Sequence, residues 1–302
     1  MSIVTRIARR AYRSLDQAVY DRLYGGLRIR KAAEHPRRAI DDLPTQPTLL
    51  VVAHPDDEAL GAGALLARLT DTSIVIVTDG SPTEGRAARA AGFDGNDSYR
   101  QARVAETNAA LASIGRGEVP VLRLDIPDQE AVFRIAHIVA RLMQIMQGGK
   151  FKYVVTHPYE GGHPDHDATT LAVQAACLLL RGKGLDAPIP VDMTSYHLGG
   201  DKMVYGRFLP SIGAGPVESF SLDTEQSDRK RRMLECYRTQ SSIVDEFPRD
   251  AERFRMAPAY DFLKPPHAGR LGYETYLWRM DGARWRRAAG RALNRLGLLE
   301  PS

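Results

Sequence analysis

The chain has 302 residues, 43% of them hydrophobic, which suits one large domain with additions and excludes a disordered or disulfide-stapled scaffold. Its 41 basic and 37 acidic residues leave a formal charge of +4, too mild an excess to mark a nucleic-acid binder. Two cysteines, Cys177 and Cys236, cannot frame a disulfide network; each lies in a helix-like apolar pattern and reads as a buried free thiol in a reducing compartment.

Residues 1–38 stand apart by charge. Arg6, Arg9, Arg10, Arg13, Arg22, Arg28, Arg30, Lys31, Arg37 and Arg38 are set against only Asp16, Asp21 and Glu34, and Ile3, Ile7, Ala11 and Leu15 recur at helical spacing. The pattern predicts a basic helical arm over 1–46 packed on the body; peripheral contact with an anionic membrane surface through 1–38 is the alternative. There is no secretory pattern and no apolar run near the roughly 20 residues that span a bilayer, so the expected location is cytoplasmic, membrane-peripheral if the arm binds lipid.

The apolar run 48–53 reads as a buried parallel strand. Then come a helix over 59–69, a strand over 73–78, a loop over 79–85, a helix near 97–114, a strand over 119–124, a helix over 130–147 and a strand over 151–156. A His- and Gly-rich loop over 157–166 precedes a helix over 167–180 and a strand over 190–196. This alternation predicts an α/β, Rossmann-like, doubly wound and mostly parallel sheet with helices on both faces. Beyond about residue 200 it loosens into a short strand over 219–222, a helix over 224–237, an irregular C-terminal cap layer over 245–275 and a basic amphipathic helix over 285–298. The expected division is an arm over 1–46, a main domain over 47–280 and a C-terminal helix over 281–302.

Two motifs fall at strand exits: Ala53-His54-Pro55-Asp56-Asp57-Glu58 and His163-Pro164-Asp165-His166. If the two strands are neighbours, His54, Asp57 and His166 converge. Two imidazoles and one carboxylate leave an open position for water, as in a catalytic zinc site; ferrous iron suits the same donors. Asp56 is then free to take a proton from an attacking water. His163 can polarise a developing oxyanion or protonate a departing amine. The plainer alternative is that Asp56 and Asp57 only cap a helix; two such motifs, each after a strand, favour amide hydrolysis. Gly61 and Gly63 do not begin a dinucleotide fingerprint, because position 66 is Leu66 and the pair lies within the helix.

The two motifs resemble the signatures of the LmbE-like, or PIG-L, de-N-acetylase family. The resemblance covers about 47–280 and extends more weakly to Arg103 and Glu106 ahead of Ala109, Ala110, Leu111 and Gly115, and to Tyr237 and Gln240. It implies a zinc-dependent hydrolase on a Rossmann-like fold that removes an acetyl group from an N-acetylglucosamine-type sugar or its conjugate. It also implies His54, Asp57 and His166 as metal ligands, Asp56 as general base and His163 as acid or oxyanion partner. The chain departs from the family where Ser81 follows Gly80 and where Gly161 replaces a tyrosine, both places that should face substrate. Arg86, Asp128, Tyr159 and Glu160 are the candidate substrate contacts, against a reading as solvated loop residues. The expected partner is a small N-acetylated sugar or glycoconjugate and not nucleic acid. The alternatives are an amidase acting on a non-sugar N-acyl conjugate and a catalytically silent metal-containing binding protein. Metal binding alone needs neither Asp56 nor His163, which speaks against the last.

Overall fold

In the computed structural model, residues 27–29, 40–210, 214–276 and 278–301 are described. The strands in chain order are β1 (Leu27–Ile29), β2 (Thr48–Val52), β3 (Thr72–Pro82), β4 (Val121–Asp128), β5 (Tyr153–Thr156), β6 (Ile189–Met193), β7 (Tyr196–Gly199), β8 (Lys202–Tyr205), β9 (Glu218–Ser221), β10 (Ala251–Met256) and β11 (Leu299–Pro301). The α-helices are α1 (Asp57–Leu66), α2 (Arg86–Ala90), α3 (Asn96–Ser113), α4 (Ile135–Gly149), α5 (Pro164–Gly182), α6 (Thr224–Leu234), α7 (Ser241–Val244) and α8 (Gly282–Arg295).

The main sheet has the order β4-β3-β2-β5-β6-β10-β9. Its first five strands are parallel, and β10 runs antiparallel to both β6 and β9. Every residue of β2 is buried because both faces of the sheet are covered. Alternate residues point to opposite faces. Leu49 and Val51 pack with α4, α5 and α8, whereas Leu50 and Val52 pack with α1 and α6. The expected doubly wound, mostly parallel α/β sheet is therefore present. Its strand order reverses between β2 and β5, so the loops leaving these two strands lie side by side at one sheet edge, where α/β folds open a crevice.

Several expectations change. The strand expected over 73–78 runs on to Pro82, because β4 continues to pair with it across two register breaks, reaching Pro82 opposite Asp128. The cap layer expected over 245–275 contains β10, a full member of the main sheet. Its polar composition hid it: Glu252 and Arg255 are buried, but one pairs with Lys230 and the other with Asp192. Helix α5 begins at Pro164 rather than near 167, with proline in the first turn and His163 as N-cap. Cys177 is buried as expected, but Cys236 is only half-buried.

Most of the arm expected over 1–46, and with it the membrane contact through 1–38, lies outside the described residues. Of its described parts, Leu27–Ile29 pairs antiparallel with Leu299–Pro301 and Ile40–Thr45 is a 3-10 helix, so neither is α-helical. Among the described residues, no helix is long and apolar enough to cross a membrane.

Candidate metal centre and catalytic site

The turn from β2 into α1 is held under strain. Asp56 has a φ of 129°, which only glycine adopts without cost. Three contacts hold it there. Its backbone N–H donates to Glu58 Oε2 (3.1 Å), and Glu58 in turn accepts the Tyr237 hydroxyl. Arg103 from α3 donates through Nη2 to the Pro55 carbonyl and to Asp56 Oδ2 (3.3 Å), and through Nη1 to the Gly80 carbonyl (3.3 Å). Gly80 must be glycine: its φ is 64°, and a Cβ there would sit 3.0 Å from Arg103 Cζ and from Pro55 Cδ.

The loop leaving β5 is equally fixed. Asp167 Oδ1 accepts the backbone N–H groups of Glu160 (3.2 Å) and Gly161 (3.0 Å). A Cβ on Gly162 would lie 1.9 Å from the Tyr196 carbonyl oxygen, so the chain can pass only as glycine. His163 then caps α5, its Nδ1 accepting the Asp165 N–H (3.1 Å). That bond places the imidazole proton on Nε2.

These two loops bring donor atoms of three side chains together. His54 Nδ1 lies 3.2 Å from Asp57 Oδ2 and 3.2 Å from His166 Nε2, and His166 Nε2 lies 3.2 Å from Asp57 Oδ1. A tetrahedral ion with bonds of about 2.0–2.1 Å separates its ligands by about 3.3–3.4 Å. The three side chains, Asp57 through both of its oxygens, therefore stand at spacings close to those of such a coordination shell. Of the outer ring nitrogens, that of His166 is hydrogen-bonded and that of His54 stands near two carboxylates without a hydrogen bond. His166 Nδ1 is 2.9 Å from Ser195 Oγ, and His54 Nε2 is 3.3 Å from Asp128 Oδ1 and 3.4 Å from Asp165 Oδ2. Protons held on those outer nitrogens would leave the inner ones free to face a cation. Among the described residues, three groups keep their ligand atoms within 4.8 Å of one another: His54 with His163 and His166, His54 with Asp128, His163 and Asp165, and Asp57 with His157 and His166.

The electrostatics favour a positive charge at this point. Burial pushes the His54 pKa down, yet Asp128, Asp165 and Asp57 outweigh it and hold that pKa well above its ordinary value. Burial and the neighbouring His54 hold His163 well below, and burial takes His166 down to about 3. The cluster thus favours one added positive charge and discourages a second proton, a field that a divalent cation would answer. The paired carboxylates diverge. Burial drives Asp56 well above the ordinary range despite Arg103, whereas Asp57, although buried, is held well below it by His166 and His157. Such divergence assigns different work to adjacent acids.

Of the four expected substrate contacts, the structure brings one to the cluster. Asp128 Oδ1 lies 3.7 Å from His163 Nε2 as well as near His54. Asp165 anchors the loop that carries it, accepting the N–H groups of Gln129 and Ala131. Arg86 is exposed and pairs with Glu84. Tyr159 is buried against Phe262 and Trp285, its hydroxyl donating to the Lys264 carbonyl (2.8 Å), and Glu160 is buried beside Arg255 and His197. Those two are neither solvated loop residues nor open to a ligand. Sequence reasoning missed His157, whose Nε2 accepts the Ala53 N–H (3.0 Å), lies 3.3 Å from Asp57 Oδ2 and whose ring stacks on His166 at 4.0 Å. The available signal was a His-Pro pair directly at a strand end, as at His54-Pro55.

Residues 49–177 match the family model PIG-L, described as GlcNAc-PI de-N-acetylase. That stretch of the chain is similar to the PIG-L (LmbE-like) family. The chain is 29% identical over 172 residues to a 1D-myo-inositol 2-acetamido-2-deoxy-alpha-D-glucopyranoside deacetylase of Streptomyces griseus, covering 49% of this chain and 54% of that protein. It is 30% identical over 133 residues to a probable N-acetyl-alpha-D-glucosaminyl L-malate deacetylase 2 of Bacillus cereus, covering 42% and 59%. The chain spans little more than half the length of these curated relatives. The structure of a deacetylase from the teicoplanin biosynthesis pathway, solved with teicoplanin, shares the fold at a TM-score of 0.54 and 17% identity, covering 71% of this chain and all of that one.

Proposed function

We propose that this protein is a metal-dependent N-deacetylase that hydrolyses the acetamido group of an N-acetylated amino sugar or its conjugate, with residues 47–280 as the catalytic unit. The supporting observation is the 3.2 Å spacing of the His54, Asp57 and His166 donor atoms directly beside Asp56, a carboxylate outside that group. These three residues would hold zinc or ferrous iron. Such a cation supplies Lewis acidity, activating water and polarising the acetyl carbonyl.

The chain's own groups do the rest. Asp56, as the carboxylate that Arg103 faces at 3.3 Å, would accept the proton of the attacking water. Arg103 holds the turn that aims it. His163 keeps its proton on Nε2, from which it would donate a hydrogen bond to the developing oxyanion, and the proton taken up by Asp56 is then the one available to the departing amine. The site is buried, with His54, Asp56, Asp57, His163 and His166 each at most 8% exposed, so bulk water does not compete for these bonds. The names of the curated relatives support a glucosamine-type substrate.

The test is amine release from a panel of N-acetylglucosamine conjugates by the metal-loaded protein. Amine release that stops on chelation and returns with zinc or ferrous iron supports the reading. Tight metal binding with no amine release across sugar and non-sugar N-acetyl compounds overturns it and leaves a silent binding protein.

A further inference from the structure

Two aromatic arms leave the candidate metal centre, each rooted on one histidine of the second motif. On one side Trp278 packs edge-on against His163 at 4.7 Å, and Tyr276 stacks on Trp278 at 4.5 Å with the rings 22° apart. On the other side Tyr196 packs edge-on against His166 at 5.1 Å and contacts Tyr205 at 5.8 Å. Each arm thus starts from one histidine of the cluster. Tyr276 is 41% exposed although its ring is a large apolar surface. Rigid ring faces backed by other rings recognise flat or apolar ligand surfaces at low entropic cost.

We propose that Tyr276, backed by Trp278, is a subsite for the aglycone of the substrate, so that the enzyme takes a glycoside with a flat or apolar aglycone in preference to a free amino sugar. This rests on the deacetylase reading above. The acetamido group belongs at the histidines, and Tyr276 stands two ring-to-ring steps out from His163. Contact with His163 through Trp278 distinguishes this surface from the other exposed large apolar side chains among the described residues, Phe133, Leu185, Val217 and Ile243.

The test compares the methyl and phenyl glycosides of N-acetylglucosamine. The wild-type enzyme should show a lower KM for the phenyl glycoside. Tyr276→Ala should shrink that preference about tenfold, and Tyr276→Phe should retain it, since the ring and not the hydroxyl makes the contact. An unchanged phenyl-to-methyl KM ratio in Tyr276→Ala overturns the proposal. A second readout needs no turnover. Of the two tryptophans, Trp285 is fully buried, so emission sensitive to added ligand reports on Trp278. Titration with the phenyl glycoside of glucosamine should change that emission saturably, at about tenfold lower concentration than the methyl glycoside. Loss of this difference in Tyr276→Ala supports the subsite even if no substrate is turned over. No emission change with either glycoside overturns it, whatever becomes of the deacetylase reading.

Discussion

Two buried clusters of charged residues lie close together in this protein, and they are opposites. Around Arg255, a cation stands between the acids that face it. Its Nε donates to Asp192 (3.1 Å), its Nη1 to the Leu209 carbonyl (3.0 Å) and its Nη2 to the Tyr260 hydroxyl (3.0 Å), while Glu160 accepts the Leu209 N–H (2.7 Å). Around His54, the inner atoms face one another as acceptors with no cationic side chain between them: two imidazole nitrogens and a carboxylate within 3.2 Å. Burial is equal in the two places. What separates a structural ion pair from a binding site is whether the donors and acceptors cancel.

The largest expected effect breaks the second cluster without disturbing its metal. Asp56→Ala should lower turnover about 10²–10⁴-fold while metal content, read by elemental analysis after dialysis, stays near stoichiometric. Equal loss of metal in that variant would remove Asp56 from its role as base. Next comes the first cluster. Arg255→Met leaves Asp192 and Glu160 buried without their cation and should cost about 3–5 kcal/mol in denaturant unfolding. Metal content in that variant should be retained at temperatures where it is folded. His166→Ala should weaken metal retention by more than about a hundredfold. The milder Ser195→Ala, which removes only the partner of His166 Nδ1, should weaken it about tenfold.

The smallest effect concerns pH. Burial, opposed by Arg255 and the Tyr260 hydroxyl and reinforced by Glu160, pushes Asp192 up to about 7. A carboxyl with a raised folded-state pKa adds stability that is complete below its unfolded value of about 3.9 and disappears as pH rises through its folded value. Thermal melts should therefore show a contribution from Asp192 declining between about pH 4 and 7, and Asp192→Asn should flatten that slope. A slope identical in the two proteins would mean that Arg255 holds Asp192 ionised throughout.

Much was legible where local rules and burial agree. The strands β2, β5 and β6 are short continuous apolar runs, visible because helices cover both faces of the sheet. The spacing of His54, Asp57 and His166 marked the residues whose atoms meet. β10 was not legible as a sheet strand because its buried polar residues are neutralised by Lys230 and Asp192, which are remote in sequence. Tyr159 and Glu160 looked like loop residues because they follow a strand end, but the aromatic residues and Arg255 that enclose them come from the last third of the chain. His157 was overlooked because its importance lies in its stacking on His166, which adjacency along the chain does not reveal.

By itself, then, the amino-acid sequence determined the alternation of strands and helices, the placement of both histidine motifs at strand ends and the donor types available there. These follow from hydrophobic period and residue chemistry, which act over a few positions. Only the tertiary structure decided that β2 and β5 are neighbours at the point where the strand order reverses, that Arg103 reaches across to a strained Asp56, and that Trp278 and Tyr276 stand beside His163. Those outcomes depend on contacts between segments 47 to more than a hundred residues apart, set by how the whole sheet packs rather than by any stretch of chain within it.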